Sequence, residues 1–164
     1  MSLKKLFLNL IWVLLAGFNL SANGQFALKP FISGSYQQLL ASNANNPFML
    51  VVWSVDCSPC LKEMTLLSDI HKNNPNMKMI MLAADDLSSS EQIEQKLKQH
   101  QLDGVDNWVF ADENSRKLRF EIDPKWYGEL PRTYFFDNAH QRTGVSGVMS
   151  KEDYQAMFAK ILNK

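Results

Sequence analysis

The chain has 164 residues, enough for one domain with a substantial apolar core, and 46% hydrophobic against 21% charged content is ordinary for a globular protein. Seventeen basic residues balance seventeen acidic ones, and no basic run stands out, so nothing draws the chain to nucleic acid or to an anionic membrane surface. A disordered chain and a protein embedded throughout in a bilayer are both excluded.

Lys4 and Lys5 precede an apolar stretch over residues 6–20, and Ser21, Ala22, Asn23 and Gly24 follow. That order, basic then apolar then small, is the pattern of a secretory signal. Asn9 and Asn19 interrupt the stretch, and it is shorter than the ~20 residues that a bilayer core requires. The reading is a cleaved signal over residues 1–24, with cleavage after Gly24 preferred to cleavage after Ala22, and an N-terminal membrane anchor as the alternative. No cysteine lies near the cut, so a lipoprotein anchor is excluded. Residues 25–164 then form one domain, soluble in the periplasm or an equivalent extracytoplasmic space.

From residue 48 onward strand and helix patterns alternate, which points to an α/β layered fold. Residues 48–53 are continuously apolar, as expected of a strand covered on both faces. Cys60, Met64, Leu67 and His71 follow at helical spacing, and that helix ends before Pro75. Residues 77–83 read as a second buried strand, so its alternating Met77, Met79 and Met81 are core residues rather than copper ligands. Asp85 and Asp86 fall in the loop at its end. Ser88-x-x-Glu91 resembles a capping box opening a helix to about His100.

A short strand over residues 107–111 and a short helix over 113–120 come next. Residues 130–136 form a strand with Pro131 at its start, where a missing N–H is tolerated, and turn residues 137–140 lead to a partner strand over 142–146. Gly147 follows, then a last helix N-capped by Ser150. Between residues 26 and 46 only a helix around Tyr36–Leu40 is legible.

Cys57 and Cys60 are the two cysteines of the chain, three residues apart where the first strong strand meets a helix. A bridge between them closes almost no loop, so it is no structural staple. In an oxidising compartment such a pair is either a redox couple or half of a metal site. The metal reading needs two more ligands, and His71, His100 and His140 are scattered without ligand spacing. The redox reading is favoured. Spacing i, i+3 places both sulfurs on one helix face, and the helix N-terminus stabilises a thiolate at Cys57. Pro59 fits a first turn, where its absent N–H costs nothing. Cys57 is expected to attack a client disulfide, and Cys60, one turn in, to resolve the mixed disulfide.

Trp53-Ser54-Val55-Asp56-Cys57-Ser58-Pro59-Cys60 resembles the Trp-x-x-x-Cys-x-Pro-Cys signature of the thioredoxin superfamily. Cys60-Leu61-Lys62-Glu63-Met64 is similar to the segment after that motif in TlpA-like and ResA-like exported oxidoreductases, and Tyr127-x-x-x-Pro131-x-Thr133-Tyr134-Phe135-Phe136-Asp137 to their cis-proline strand. The likeness covers about residues 48–162. It implies a thioredoxin-like three-layer α/β fold, a central mixed sheet flanked by helices. It also implies that Pro131 is cis and faces the disulfide, that Leu130 presents its backbone to an extended client, and that a buried Glu63 holds or passes the proton of Cys60. Trp53 is placed with Leu130 on the substrate side, chiefly as a packing residue that influences the site. Three departures stand out: Thr65 replaces a helix-kinking proline, Asp56 replaces an aromatic residue, and the N-terminal hairpin is shortened or replaced.

Direction of electron flow is read from charge. Ser58-Pro59 supplies no cation, and Asp56 sets a carboxylate beside Cys57; both disfavour the thiolate and push the couple toward the reducing end. The expected function is a cell-envelope thiol–disulfide reductase, with cytochrome c maturation one setting implied by the resemblance. Its partners are disulfide-containing exported proteins and a membrane electron-donor thiol reductase; no cofactor is implied, and a monomer is expected. The alternatives are a disulfide oxidase or isomerase, and a metallochaperone-like binder using the cysteine pair. A thiol peroxidase is disfavoured because no Thr-x-x-Cys surrounds Cys57.

Overall fold

The computed structural model describes residues 28–162. The expected signal over residues 1–24 lies outside them. No helix among the described residues is long and apolar enough to cross a membrane.

The elements run β1 (Lys29–Phe31), α1 (Ser35–Ser42), β2 (Phe48–Trp53), α2 (Ser58–Asn73), β3 (Lys78–Ala83), α3 (Ser90–Gln99), β4 (Asp106–Phe110), α4 (Ser115–Ile122), β5 (Arg132–Phe136), β6 (Arg142–Ser146) and α5 (Lys151–Leu162). They build one six-stranded sheet in the order β1-β4-β3-β2-β5-β6. The first four strands of that order are mutually parallel; β5 runs antiparallel to β2, and β6 runs antiparallel to β5.

Every residue of β2 is buried, because the strand lies inside the sheet and both faces are covered. The period of two sorts its side chains into separate cores. Met49, Val51 and Trp53 join Met79, Met81, Phe135 and residues of α2, α3 and α5, including Met64, Leu97 and Phe158. Phe48, Leu50 and Val52 join Ile80, Leu82, Tyr134 and residues of α1 and α4, including Leu39 and Leu118. The result is three layers, helices on both faces of a mixed sheet, as the family resemblance implies. The methionines of β3 are core residues here, with Met79 and Met81 almost wholly enclosed.

Local chemistry sets several boundaries. The last helix opens with a reciprocal box: Asp153 N–H donates to Ser150 Oγ, and Ser150 N–H donates to Asp153 Oδ2. The expected box at Ser88-x-x-Glu91 is replaced by an Asp86 cap, whose carboxylate accepts Ser88 N–H at 2.9 Å and opens a 3-10 turn over Leu87–Ser89 before α3. Asp86 stands at the N-cap of this turn, where its carboxylate meets the free N–H of Ser88. Among the described residues the N-terminal region contributes β1 to the sheet edge, parallel to β4. With Thr65 in place of proline, α2 is a continuous helix from Ser58 to Asn73.

Candidate active site

Four residues link β2 to α2, and one carboxylate fixes them. Asp85, just past β3, accepts Ser54 Oγ–H at 2.8 Å and Val55 N–H at 3.1 Å. Asp56 N–H donates to Ser54 Oγ, and Cys57 N–H donates to the Ser54 carbonyl at 3.2 Å. The chain therefore reaches Cys57 in a defined conformation and turns directly into the helix.

Cys57 is the N-cap of α2, and Pro59 lies in the first turn. The two sulfurs form a disulfide, with Cα atoms 5.2 Å apart. Cys60 N–H donates to Cys57 Sγ at 3.2 Å. An N–H donor and the positive end of the helix dipole thus meet at one sulfur, an arrangement that favours negative charge there. Cys57 is half-buried and its neighbours Asp56, Ser58 and Pro59 are exposed, whereas Cys60 is 2% exposed. The pair is asymmetric, one cysteine half-buried and the other enclosed.

The Leu130–Pro131 peptide bond is cis. In the antiparallel register Val52 pairs with Arg132, so Pro131 falls level with Trp53, at the end of β2 that feeds the cysteine loop. The Pro131 carbonyl accepts Gly147 N–H at 2.9 Å, and Gly147 holds φ +88, a conformation that favours glycine. Leu130 is partly buried and packs against both apolar cores. Trp53 is 1% exposed and shares a core cluster with Cys60, so it is a packing residue and presents no surface to a client.

Glu63, one turn beyond Cys60, is 3% exposed. Its Oε1 accepts Met149 N–H at 2.8 Å and the Tyr154 hydroxyl at 3.1 Å, while the buried Oε2 has no hydrogen-bond partner. Burial raises the Glu63 carboxyl pKa, and the two donors only partly offset it. Burial, followed by the neighbouring Glu63 charge, likewise raises the Tyr154 hydroxyl.

A second polar cluster supports the cis-proline strand. Asp123 receives Arg132 Nη2 at 3.1 Å and Tyr134 O–H at 3.2 Å on Oδ2, and Arg142 Nη2 at 3.1 Å on Oδ1. Arg142 also donates to the Ile122 carbonyl. Both guanidinium groups lie over the Tyr134 ring, and a side chain at Gly144 would collide with Arg132 and Tyr134.

Sequence reasoning singled out Cys57, Cys60, Glu63, Leu130, Pro131 and Trp53, and the structure gathers them around the junction of β2, α2 and β5. It missed Asp85, Tyr154 and Asp123. In the sequence Asp85 reads only as part of a loop; its signal is position, a carboxylate just past a parallel strand adjacent to the one that precedes the cysteines.

No protein-family model and no curated protein matches the chain. Solved structures do. A thioredoxin-related protein from Neisseria meningitidis serogroup B is 23% identical with a TM-score of 0.63, the match covering 76% of this chain and 91% of that one. A secreted Mycobacterium tuberculosis disulfide oxidoreductase homologous to E. coli DsbE is 20% identical with a TM-score of 0.60, over 73% and 85% of the two chains. A thiol:disulfide interchange protein of the thioredoxin family from Chlorobium tepidum is 16% identical, also at 0.60, over 75% and 84%. Sheet order, the disulfide at the head of α2 and these likenesses agree: the chain has the thioredoxin fold.

Proposed function

We propose that this chain is a thiol–disulfide oxidoreductase of the cell envelope that reduces disulfides in exported proteins. The observation that carries the reading is the asymmetric Cys57–Cys60 disulfide, with the Cys57 sulfur half-buried on a helix N-terminus and Cys60 enclosed behind it. The secreted disulfide oxidoreductase and the thiol:disulfide interchange protein of similar fold support the same chemistry.

In the reduced form the Cys57 thiolate attacks one sulfur of a client disulfide. A Cys57–client bond forms, and the other client sulfur leaves as a thiolate that takes a proton from water. The Cys60 thiol then gives its proton to Glu63 and attacks Cys57 Sγ. The Cys57–Cys60 bond forms, the Cys57–client bond breaks, and the second client sulfur departs as a thiolate. Two electrons have passed to the client, and the protein is left in the oxidised state seen here. The backbone of Leu130, ahead of cis-Pro131, receives the client as an added extended strand. A membrane thiol reductase restores the dithiol, since the envelope supplies no soluble reductant of its own. Cytochrome c maturation is one setting in which such a reductase works.

The test is the equilibrium potential of the Cys57–Cys60 couple against glutathione or dithiothreitol. A reductase is expected below about −200 mV. A value near −120 mV would instead assign an oxidase. Retention of zinc or copper(I) through dialysis, without any disulfide reduction, would replace both with a metal binder.

A further inference from the structure

Glu63 is anchored by groups that arrive from a different part of the chain. Its Oε1 takes both available donors, Met149 N–H from the loop before α5 and Tyr154 O–H from the first turns of α5. That same loop begins at Gly147, whose N–H holds the Pro131 carbonyl. The Ser150–Asp153 box then fixes the start of the helix, so Tyr154 is aimed by a cap rather than by packing alone. Its ring packs edge-on against Phe135 at 5.9 Å and near Phe158 at 6.3 Å, so the hydroxyl has little freedom to leave the carboxylate. Tyr154 is itself fully buried.

Resting on the reading of Glu63 as the proton acceptor of Cys60, we propose that Tyr154 is a positioning residue for the exchange reaction: its hydroxyl holds the Glu63 carboxylate oriented and ionised behind Cys60. A hydroxyl donating to a carboxylate stabilises the charged form. With Glu63 and Tyr154 both buried, that single donor carries more weight than it would at the surface. The titratable side chains beside Glu63 are Tyr154 from α5 and, on α2 itself, Cys60 and the exposed Lys62. Burial, Met149 N–H and the Tyr154 hydroxyl are the influences on the Glu63 proton, with no cation or second carboxylate among them.

The reaction gives this a definite signature. The resolving step moves one proton from Cys60 Sγ to a Glu63 oxygen, so it requires Glu63 ionised beforehand. Without the Tyr154 hydroxyl, the carboxyl keeps its proton to higher pH. Tyr154→Phe removes only that hydroxyl and keeps the ring contacts that hold the core.

The experiment measures the rate of client release from a preformed Cys57 mixed disulfide as a function of pH, in the wild type, Tyr154→Phe, Glu63→Gln and the double variant. Tyr154→Phe should slow release about tenfold at neutral pH, the weight of one hydrogen bond to a charged group. The profile should move to the alkaline side and recover the wild-type plateau there. In the Glu63→Gln background, adding Tyr154→Phe should change nothing further. An unshifted profile, or a lowered plateau with an unmoved midpoint, overturns the role, since either outcome describes packing alone. Failure of the wild type to form or release a mixed disulfide at any pH would instead strike the proposed function, and the two failures are thereby distinguished.

Discussion

Ser54 and Asp85 are thirty-one residues apart in sequence, and the Ser54 hydroxyl donates to Asp85 Oδ1 at 2.8 Å. The other oxygen of the same carboxylate takes Val55 N–H, so the end of β3 holds the loop that delivers Cys57. Asp85→Ala leaves the Val55 N–H and the Ser54 hydroxyl without their acceptor and should lower stability by about 1–3 kcal/mol. Alkylation of Cys57 in the reduced protein should also become less uniform, because the loop no longer has one conformation. Urea denaturation and the alkylation time course read the two effects. Wild-type stability in Asp85→Ala would show that the loop is held by the Ser54 contacts to Asp56 and Cys57 alone.

The legible parts of this fold are those where local pattern and burial agree. The all-apolar run at 48–53, the helical spacing from Cys60 to His71 and the turn at Asp137–His140 each specify their element without outside help. β1 was illegible because three residues with Pro30 at the centre have no period of their own; the strand exists only as an addition to the edge of β4. In the site, Cys57 and Cys60 are visible because adjacent residues make the chemistry. Tyr154 and Asp123 are invisible for the opposite reason. Tyr154 lies 91 residues from Glu63, and nothing in an amphipathic C-terminal helix distinguishes a core tyrosine that packs from one that also donates.

Asp123 is 6% exposed and stands between two guanidinium groups. Burial opposes its charge, but Lys125 N–H, Arg142, Arg132 and the Tyr134 hydroxyl outweigh that effect and hold its carboxyl below the usual range. A carboxyl depressed on folding adds stability that is present above its unfolded value and vanishes as pH falls through the folded one. Asp123→Asn should therefore cost about 3 kcal/mol at neutral pH, where two cations are left over the Tyr134 ring without their counter-ion. The gap from wild type should narrow as pH drops below about 4, the ordinary aspartate range. Guanidinium denaturation at several pH values measures it; a gap constant with pH would mean that the aspartate is valued for shape and not for charge.

Cys57 is half-buried and Cys60 is enclosed, and the proposed function assigns attack to the first and resolution to the second. Cys60→Ser should accumulate mixed disulfides with client proteins, because the half-buried Cys57 still attacks and nothing resolves the product. Cys57→Ser should accumulate none, since Cys60 is enclosed. Non-reducing gels of both variants after exposure to an oxidised client decide the matter, and trapping by Cys57→Ser would exchange the two roles.

Asp56 adjoins Cys57 and is exposed, and no cationic side chain lies between the cysteines to offset it. Opposing it are the Cys60 N–H at 3.2 Å from Cys57 Sγ and the dipole of a sixteen-residue helix. The helix terminus stabilises the thiolate and raises the potential; the carboxylate destabilises it and lowers the potential. The helix contribution is common to any cysteine placed this way, whereas Asp56 acts through one side-chain charge that a single substitution removes. Because Asp56 is in solvent, its contribution is that of a screened surface charge, on the order of 10 mV for a two-electron couple. Asp56→Asn should therefore lower the Cys57 thiol pKa and make the couple more oxidising by about that amount. The shift should shrink in about 1 M salt, where charges a few ångströms apart are screened, whereas a change in loop geometry would persist. Glutathione equilibration of both proteins at low and high salt separates the two. A null result at low salt would mean that the helix terminus and the burial of Cys60 set the poise without help from the neighbouring carboxylate.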